Sequence, residues 1–123
     1  MTIANTQTPD CDRFSILYVT TSDQNEARTI GRTLIERQLA ACTNILPGMT
    51  SQYVWEGVLT ESNEAVLLVK TSNRNVDAAT QAILELHSYD VPCVICWAFD
   101  SVNPDYTKWL KSLLSGSTDT STS

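Results

Sequence analysis

Residues 14–21, FSILYVTT, are rich in aromatic and β-branched side chains and predict a strand. The spacing then changes to that of a helix. Ser22 and Asp23 can cap it, Glu26 completes a capping box with Asp23, and Ala27, Ile30, Gly31, Leu34, Ile35, Gln38 and Ala41 share one face. The pattern predicts a helix that ends near Ala41. Residues 43–57, TNILPGMTSQYVWEG, suit an extended strand that Pro47 and Gly48 bend or bulge, and Gly57 closes it or opens a turn. Residues 60–72 contain the unbroken apolar run AVLLV between Glu64 and Lys70, which predicts a buried strand antiparallel to its predecessor. Asn73 or Asn75 can cap a second helix, with Val76, Ala79, Thr80, Ile83 and His87 on one stripe and Ile83 and Leu86 as neighbours. VPCVICWAF, around Pro92, is the fourth strand. DYTKWLKSLL, preceded by Pro104, is a short last helix with Tyr106, Trp109, Leu110 and Leu113 spaced by three and four.

The order β-α-β-β-α-β with an added helix is the split βαβ arrangement of ferredoxin-like α+β folds, with an antiparallel sheet and two main helices on one face. A strand with one wet side alternates, but AVLLV and VICWAF are apolar on successive residues, hence on both sides. The last helix is too short to cover the second face alone. Copies of the chain packing sheet to sheet or edge to edge in a closed oligomer would cover the rest.

The chain has 123 residues, which suits one domain, expected over residues 14–114 between a disordered leader, 1–13, and a disordered polar tail, 115–123. Net charge is −6, and the 8 Lys and Arg stand singly, so no footprint for a phosphate backbone is present and no nucleic-acid partner is expected. No apolar run approaches the roughly 20 residues that span a bilayer, and no membrane partner is expected. The first residues lack the basic start and apolar core of a secretory signal, so the expectation is a cytoplasmic protein with its 4 cysteines reduced.

The motifs LAAC-x-N-I-L-P-G, S-x-Y-x-W-E-G, K-T, H-x-Y-x-V-P and Y-x-x-W-L occur together, in order, between Phe14 and Leu114. In these the chain resembles the CutA family of divalent-cation tolerance proteins. The resemblance implies a ferredoxin-like subunit assembled as a homotrimer, similar in architecture to the PII signalling proteins, with no enzymatic activity. It also implies a link to tolerance of copper and other divalent ions. The chain departs from the family pattern at Ser88 and at Cys93, which replace a proline and a carboxylate, and at Val58, where a basic residue is usual.

Candidate chemistry is sparse. His87 is the only imidazole: it is either a metal ligand or a helix-end group bonded to a free carbonyl. Cys93 and Cys96 form a C-x-x-C, but on a strand residues an odd number apart point to opposite faces, so both read as small buried hydrophobes. Cys93 alone, in the place of the family's carboxylate, would favour soft metals. Cys42 follows two alanines and is expected buried, although it matches the cysteine that the resemblance makes a candidate for thiophilic ions. Cys11 lies in the leader.

Lys70 must bring its ammonium to water, a carboxylate such as Glu64 or Glu56, or an anionic ligand. At a subunit junction, Lys70, Tyr53, Trp55, Glu56, His87 and Tyr89 would line a small-ligand pocket; a salt bridge locking the trimer explains the same residues. Trp55, Trp97 and Trp109 read as packing anchors.

No Gly-rich phosphate loop, nucleophile elbow or paired-acid metal box is present. The expectation is a non-enzymatic homotrimer that holds no cofactor tightly and binds Cu(II) or another divalent cation weakly through His87, Cys42 and Cys93. The rival is a PII-like signalling trimer that binds an anionic small molecule between subunits.

Overall fold

The computed structural model describes residues 13–122, with side chains described over 13–114. The expected leader, Cys11 included, lies outside the described residues except for Arg13. The elements are β1 (Phe14–Thr21), α1 (Gln24–Glu36), β2 (Cys42–Trp55), β3 (Val58–Ser72), a 3₁₀ turn (Asn73–Asn75), α2 (Val76–Leu86), β4 (Val94–Ala98) and α3 (Pro104–Thr122). The sheet order is β2-β3-β1-β4, with every neighbouring pair antiparallel, the expected split βαβ topology.

β1 alternates as a half-covered strand should. Ser15, Leu17, Val19 and Thr21 are buried beneath the helices, while Ile16, Tyr18 and Thr20 are half-buried on the other face. α1 starts where the capping box places it: Asp23 Oδ1 accepts the Glu26 N–H at 2.8 Å, and Glu26 Oε1 accepts the Ser22 N–H at 2.9 Å. It ends before Ala41, contrary to the periodicity. Gln38 turns left-handed at φ 58, the Leu39 N–H returns to Leu34 O, and Ala41 donates its N–H to Lys70 O, so it joins the sheet rather than the helix. Ala40 and Ala41 are buried, but beneath different parts of the fold. At α2, Asn75 occupies the N-cap without a side-chain cap bond, and Asn73 instead accepts the Ser15 hydroxyl.

Pro47 and Gly48 bulge β2: pairing jumps from Leu46–Val66 to Met49–Glu64, with Gly48 at φ 75. The extra residue inverts the parity of the strand. Cys42, Asn44 and Leu46 lie on the second sheet face before the bulge, and Met49, Ser51, Tyr53 and Trp55 after it. The hairpin then closes through Glu56 and Gly57, both at positive φ (50 and 81), the two-residue turn whose twist matches the strands. Its last pairs, Val54–Leu59 and Trp55–Val58, are exposed.

The main core lies between the sheet and α1 and α2, around Leu17, Val19, Ile30, Leu34, Leu67, Val69 and Ile83. On the second face α3 covers one end only, where Leu110 packs with Phe14 and Ala41 against half-buried Cys42, Phe99 and Tyr106. Farther along that face, Ile95, Trp97 and Leu46 remain 45 %, 52 % and 54 % exposed. α3 continues to Thr122, so the backbone is helical through most of the segment expected as a disordered tail.

β4 is shorter than expected, and Cys93 precedes it, so the alternation argument for the C-x-x-C does not apply. Cys93 is half-buried and Cys96 is exposed on an edge strand, and Cys42 is half-buried rather than buried; all three are free thiols.

Candidate functional site

The polar residues with the most complete partnerships converge where α1 begins and α2 ends. His87 caps α2 in extended conformation. Its Nε2 lies 2.7 Å from Thr20 O, and its Nδ1 accepts the Tyr89 N–H at 3.1 Å. A carbonyl only accepts, so the tautomer with hydrogen on Nε2 satisfies both contacts. The ring is fully buried, 4.6 Å from the Tyr89 ring, and Nδ1 is 3.8 Å from Glu26 Oε2.

Glu26 joins this group to the helix start. Its Oε2 accepts the Ser88 N–H at 2.7 Å while Oε1 serves Ser22. Burial pushes its carboxyl up, but the hydrogen bonds from Ser22 and Ser88 outweigh it and hold the pKa at about 2. Tyr89 donates its hydroxyl to Glu64 Oε2 at 2.6 Å; burial first, then that bond and the Glu64 charge, push the phenol well above its ordinary value. Tyr53, on the same sheet face as Glu64, shares a 3.3 Å contact with Ser62. Together these bonds fix residues 87–89 between the helix layer and the hairpin.

Lys70 is at the other end of β3. Six residues of extended strand separate it from Glu64, roughly 20 Å, so neither Glu64 nor the more distant Glu56 is its partner. Its ammonium donates to the Tyr106 hydroxyl at 3.0 Å and lies 5.2 Å from that ring's centroid. Among the described residues it has no ion-pair partner. Cys42 is its cross-strand neighbour.

A single chain therefore divides the expected site. His87, Tyr89 and Tyr53 gather at one end, Lys70 and Cys42 at the other, and Trp55 and Glu56 project with the hairpin tip. Cys93 follows Pro92 in the loop after Tyr89. His87 has both ring nitrogens committed within the fold, so it offers no free lone pair. Among the described residues no group of three or more His, Cys, Asp and Glu side chains is placed to hold a metal ion. Glu26 and Tyr106 are the residues that sequence reasoning missed. The capping box accounted for Glu26 as a local cap, and the helical stripe accounted for Tyr106 as packing.

A ferredoxin-like domain with a third helix on its second face, a long hairpin and unsealed apolar positions defines a class of small α+β proteins. Within that class, the family model described as CutA1 divalent ion tolerance protein matches residues 15–113. The chain belongs to this family. It is 40 % identical over 100 residues to a protein CutA homolog of Xenopus laevis, covering 81 % of this chain and 66 % of that protein. It is 38 % identical over 96 residues to the divalent-cation tolerance protein CutA of Thermus thermophilus, covering 78 % and 93 %. It spans about half, 54 %, of the mouse relative's length. Among solved structures, CutA1 from Ehrlichia chaffeensis superposes with TM-score 0.80 at 34 % identity, covering 83 % of this chain and 95 % of that one. CutA1 from Oryza sativa gives 0.79 at 36 %, covering 82 % and 93 %.

Proposed function

We propose that the chain serves divalent-cation tolerance as a non-enzymatic homotrimer that binds Cu(II) or another divalent or soft ion weakly, with donors contributed by neighbouring protomers. The observation that carries this reading is the second sheet face. α3 seals one end of it, while Trp97, Ile95 and Leu46, together with the hairpin residues Val54, Trp55, Val58 and Leu59, stay exposed. Apolar surface so arranged fits a partner of complementary shape, and another copy of the chain supplies one by symmetry. The names of the relatives support the tolerance role.

Weak binding follows from the donors. Cys42 stands beside Lys70 at one end of the sheet and Cys93 just before β4 at the other, and among the described residues no group of three or more His, Cys, Asp and Glu side chains could hold an ion, so donors from more than one chain are needed. His87 would join only by giving up its bond from Tyr89, which makes Cys93 the better donor. A cytoplasmic setting belongs to the same proposal. No helix among the described residues is long and apolar enough to cross a membrane, although relatives include proteins named chloroplastic and one named periplasmic.

Native mass spectrometry at micromolar protein, with calorimetric titration of Cu(II) and Zn(II) into wild type, Cys93→Ser and Cys42→Ser, tests this proposal. A trimer whose metal heats fall in the cysteine variants is expected. A lone protomer, or heats unchanged by both substitutions, refutes it.

The rival reading, an anionic small molecule at a PII-like subunit junction, is favoured by Lys70, whose half-buried ammonium lacks a carboxylate among the described residues. Thermal-shift measurements with nucleotides and carboxylates on wild type and Lys70→Met separate the two.

A further inference from the structure

A cavity of about 230 Å³ lies within one protomer, between the start of β1, the loop after β4 and the first turns of α3. Its lining includes none of the site residues described above, although Phe14 and Leu110 also pack against Cys42 and Tyr106. Phe14, nearly buried, and Leu110, fully buried, form its floor, and Val102 and Phe99 complete the apolar wall. The two phenyl rings stack with centroids 6.3 Å apart, and the Phe99 N–H donates to Phe14 O, so the wall is held by backbone pairing as well as packing.

The rim is polar and its charge opposes that of the whole chain. Among the described residues Arg13 and Lys111 line it with one carboxylate, Asp100, so the lining is net positive in a chain of net charge −6. Among the described residues the half-buried Arg13 guanidinium has no hydrogen-bond or ion-pair partner, whereas Lys111 makes a contact of its own. Ser101 and Thr107 add hydroxyls at the mouth, the latter donating to Asn103 O. A planar fork of donors with no partner among the described residues, beside an apolar wall, matches a carboxylate carried on a small apolar body.

We infer that this cavity is a binding site for a small aromatic or branched aliphatic carboxylate, its acid on Arg13 and its apolar part against Phe14, Phe99 and Leu110. The volume is below the roughly 300–1,000 Å³ of sites for drug-sized ligands, which limits the occupant to one ring or one branched chain with a short acid arm. Asp100 disfavours a dianion at the same rim.

Phenylacetate is the probe, with phenylacetamide as its uncharged counterpart. Binding is followed by saturation-transfer NMR and calorimetry on the full chain, in its native assembly, for wild type, Arg13→Gln and Val102→Trp. Circular dichroism and native mass spectrometry check that the variants keep fold and assembly. Saturable phenylacetate binding to wild type is expected, weakened at least fivefold in Arg13→Gln, with phenylacetamide weaker in wild type and insensitive to Arg13→Gln. Val102→Trp, which fills the cavity and leaves the cations in place, is expected to abolish both. No saturable binding of phenylacetate to wild type, equal affinity in Arg13→Gln, or full affinity in Val102→Trp overturns the assignment. If a variant loses its fold, Ser101→Trp at the mouth replaces it under the same criteria. None of these outcomes depends on metal binding.

Discussion

Replacing Glu26 by Gln removes a charge from the junction of α1 with the loop after α2. In the native protein three hydrogens reach this carboxylate: the Ser22 N–H and hydroxyl, each at 2.9 Å, and the Ser88 N–H at 2.7 Å. Its pKa is about 2 folded against an ordinary 4.5, so the charged form is favoured by folding. At 1.36 kcal/mol for each pH unit, that difference is worth roughly 3 kcal/mol. Ser22 and Ser88 are exposed, and solvent screening brings the expectation to about 1–2 kcal/mol. A depressed acid stabilises the fold fully above its unfolded pKa, and the contribution disappears as pH falls from about 4.5 through about 2. Gln keeps the shape, but its amide group must meet one of the donors with its own N–H. Urea unfolding of wild type and Glu26→Gln at fixed protein concentration, at pH 7, 4.5, 3 and 2, measures the gap. Wild type is expected to lead by about 1–2 kcal/mol at pH 7, with the gap closing toward pH 2, where protonated Glu26 resembles Gln. Amide exchange at Ser88 is expected to quicken in the variant at neutral pH. A gap of equal size at pH 7 and pH 2, or none at pH 7, refutes the account.

Two further substitutions probe the second sheet face and the hairpin. Leu110→Ala removes a fully buried side chain from beneath α3 and is expected to cost about 2–5 kcal/mol in urea unfolding; a loss under 1 kcal/mol would mean that α3 contributes little to the fold. Gly57→Val forces a β-branched residue to φ 81 in open space, so the cost is conformational, about 1–3 kcal/mol. Unchanged stability with unchanged hairpin amide shifts in NMR would refute a two-residue turn with both φ values positive.

The elements were legible in the sequence where local chemistry and global position agree. The Asp23–Glu26 capping box starts α1, the run of aromatic and β-branched residues marks β1, and the doubly apolar run of β3 signals cover on both faces. Reading failed where one pattern serves two ends. Ala41 continues the helical spacing of α1, yet the left-handed turn at Gln38 sends it into the sheet and the cluster beneath α3. Glu26 satisfies a local cap with one oxygen and a residue far along the chain with the other, and only the second bond concerns the site.

The bulge at Pro47 and Gly48 shows why the pocket itself could not be assembled from spacing. Parity places Tyr53 and Trp55 opposite Cys42 in an unbroken strand; one extra residue brings them to the face that carries Lys70 and Glu64. A shared face does not make them neighbours, because β3 separates Lys70 from Glu64 by roughly 20 Å. α3 then gives Lys70 the hydroxyl of Tyr106, and the loop after α2 gives Glu64 the hydroxyl of Tyr89. Each charge is thus answered by a neutral donor or acceptor within its own protomer. Any ligand set that unites the two ends must draw one of them from another chain, which ties the proposed ion binding to the proposed assembly: dilution that dissociates the proposed trimer should abolish metal heats before it unfolds the single chain.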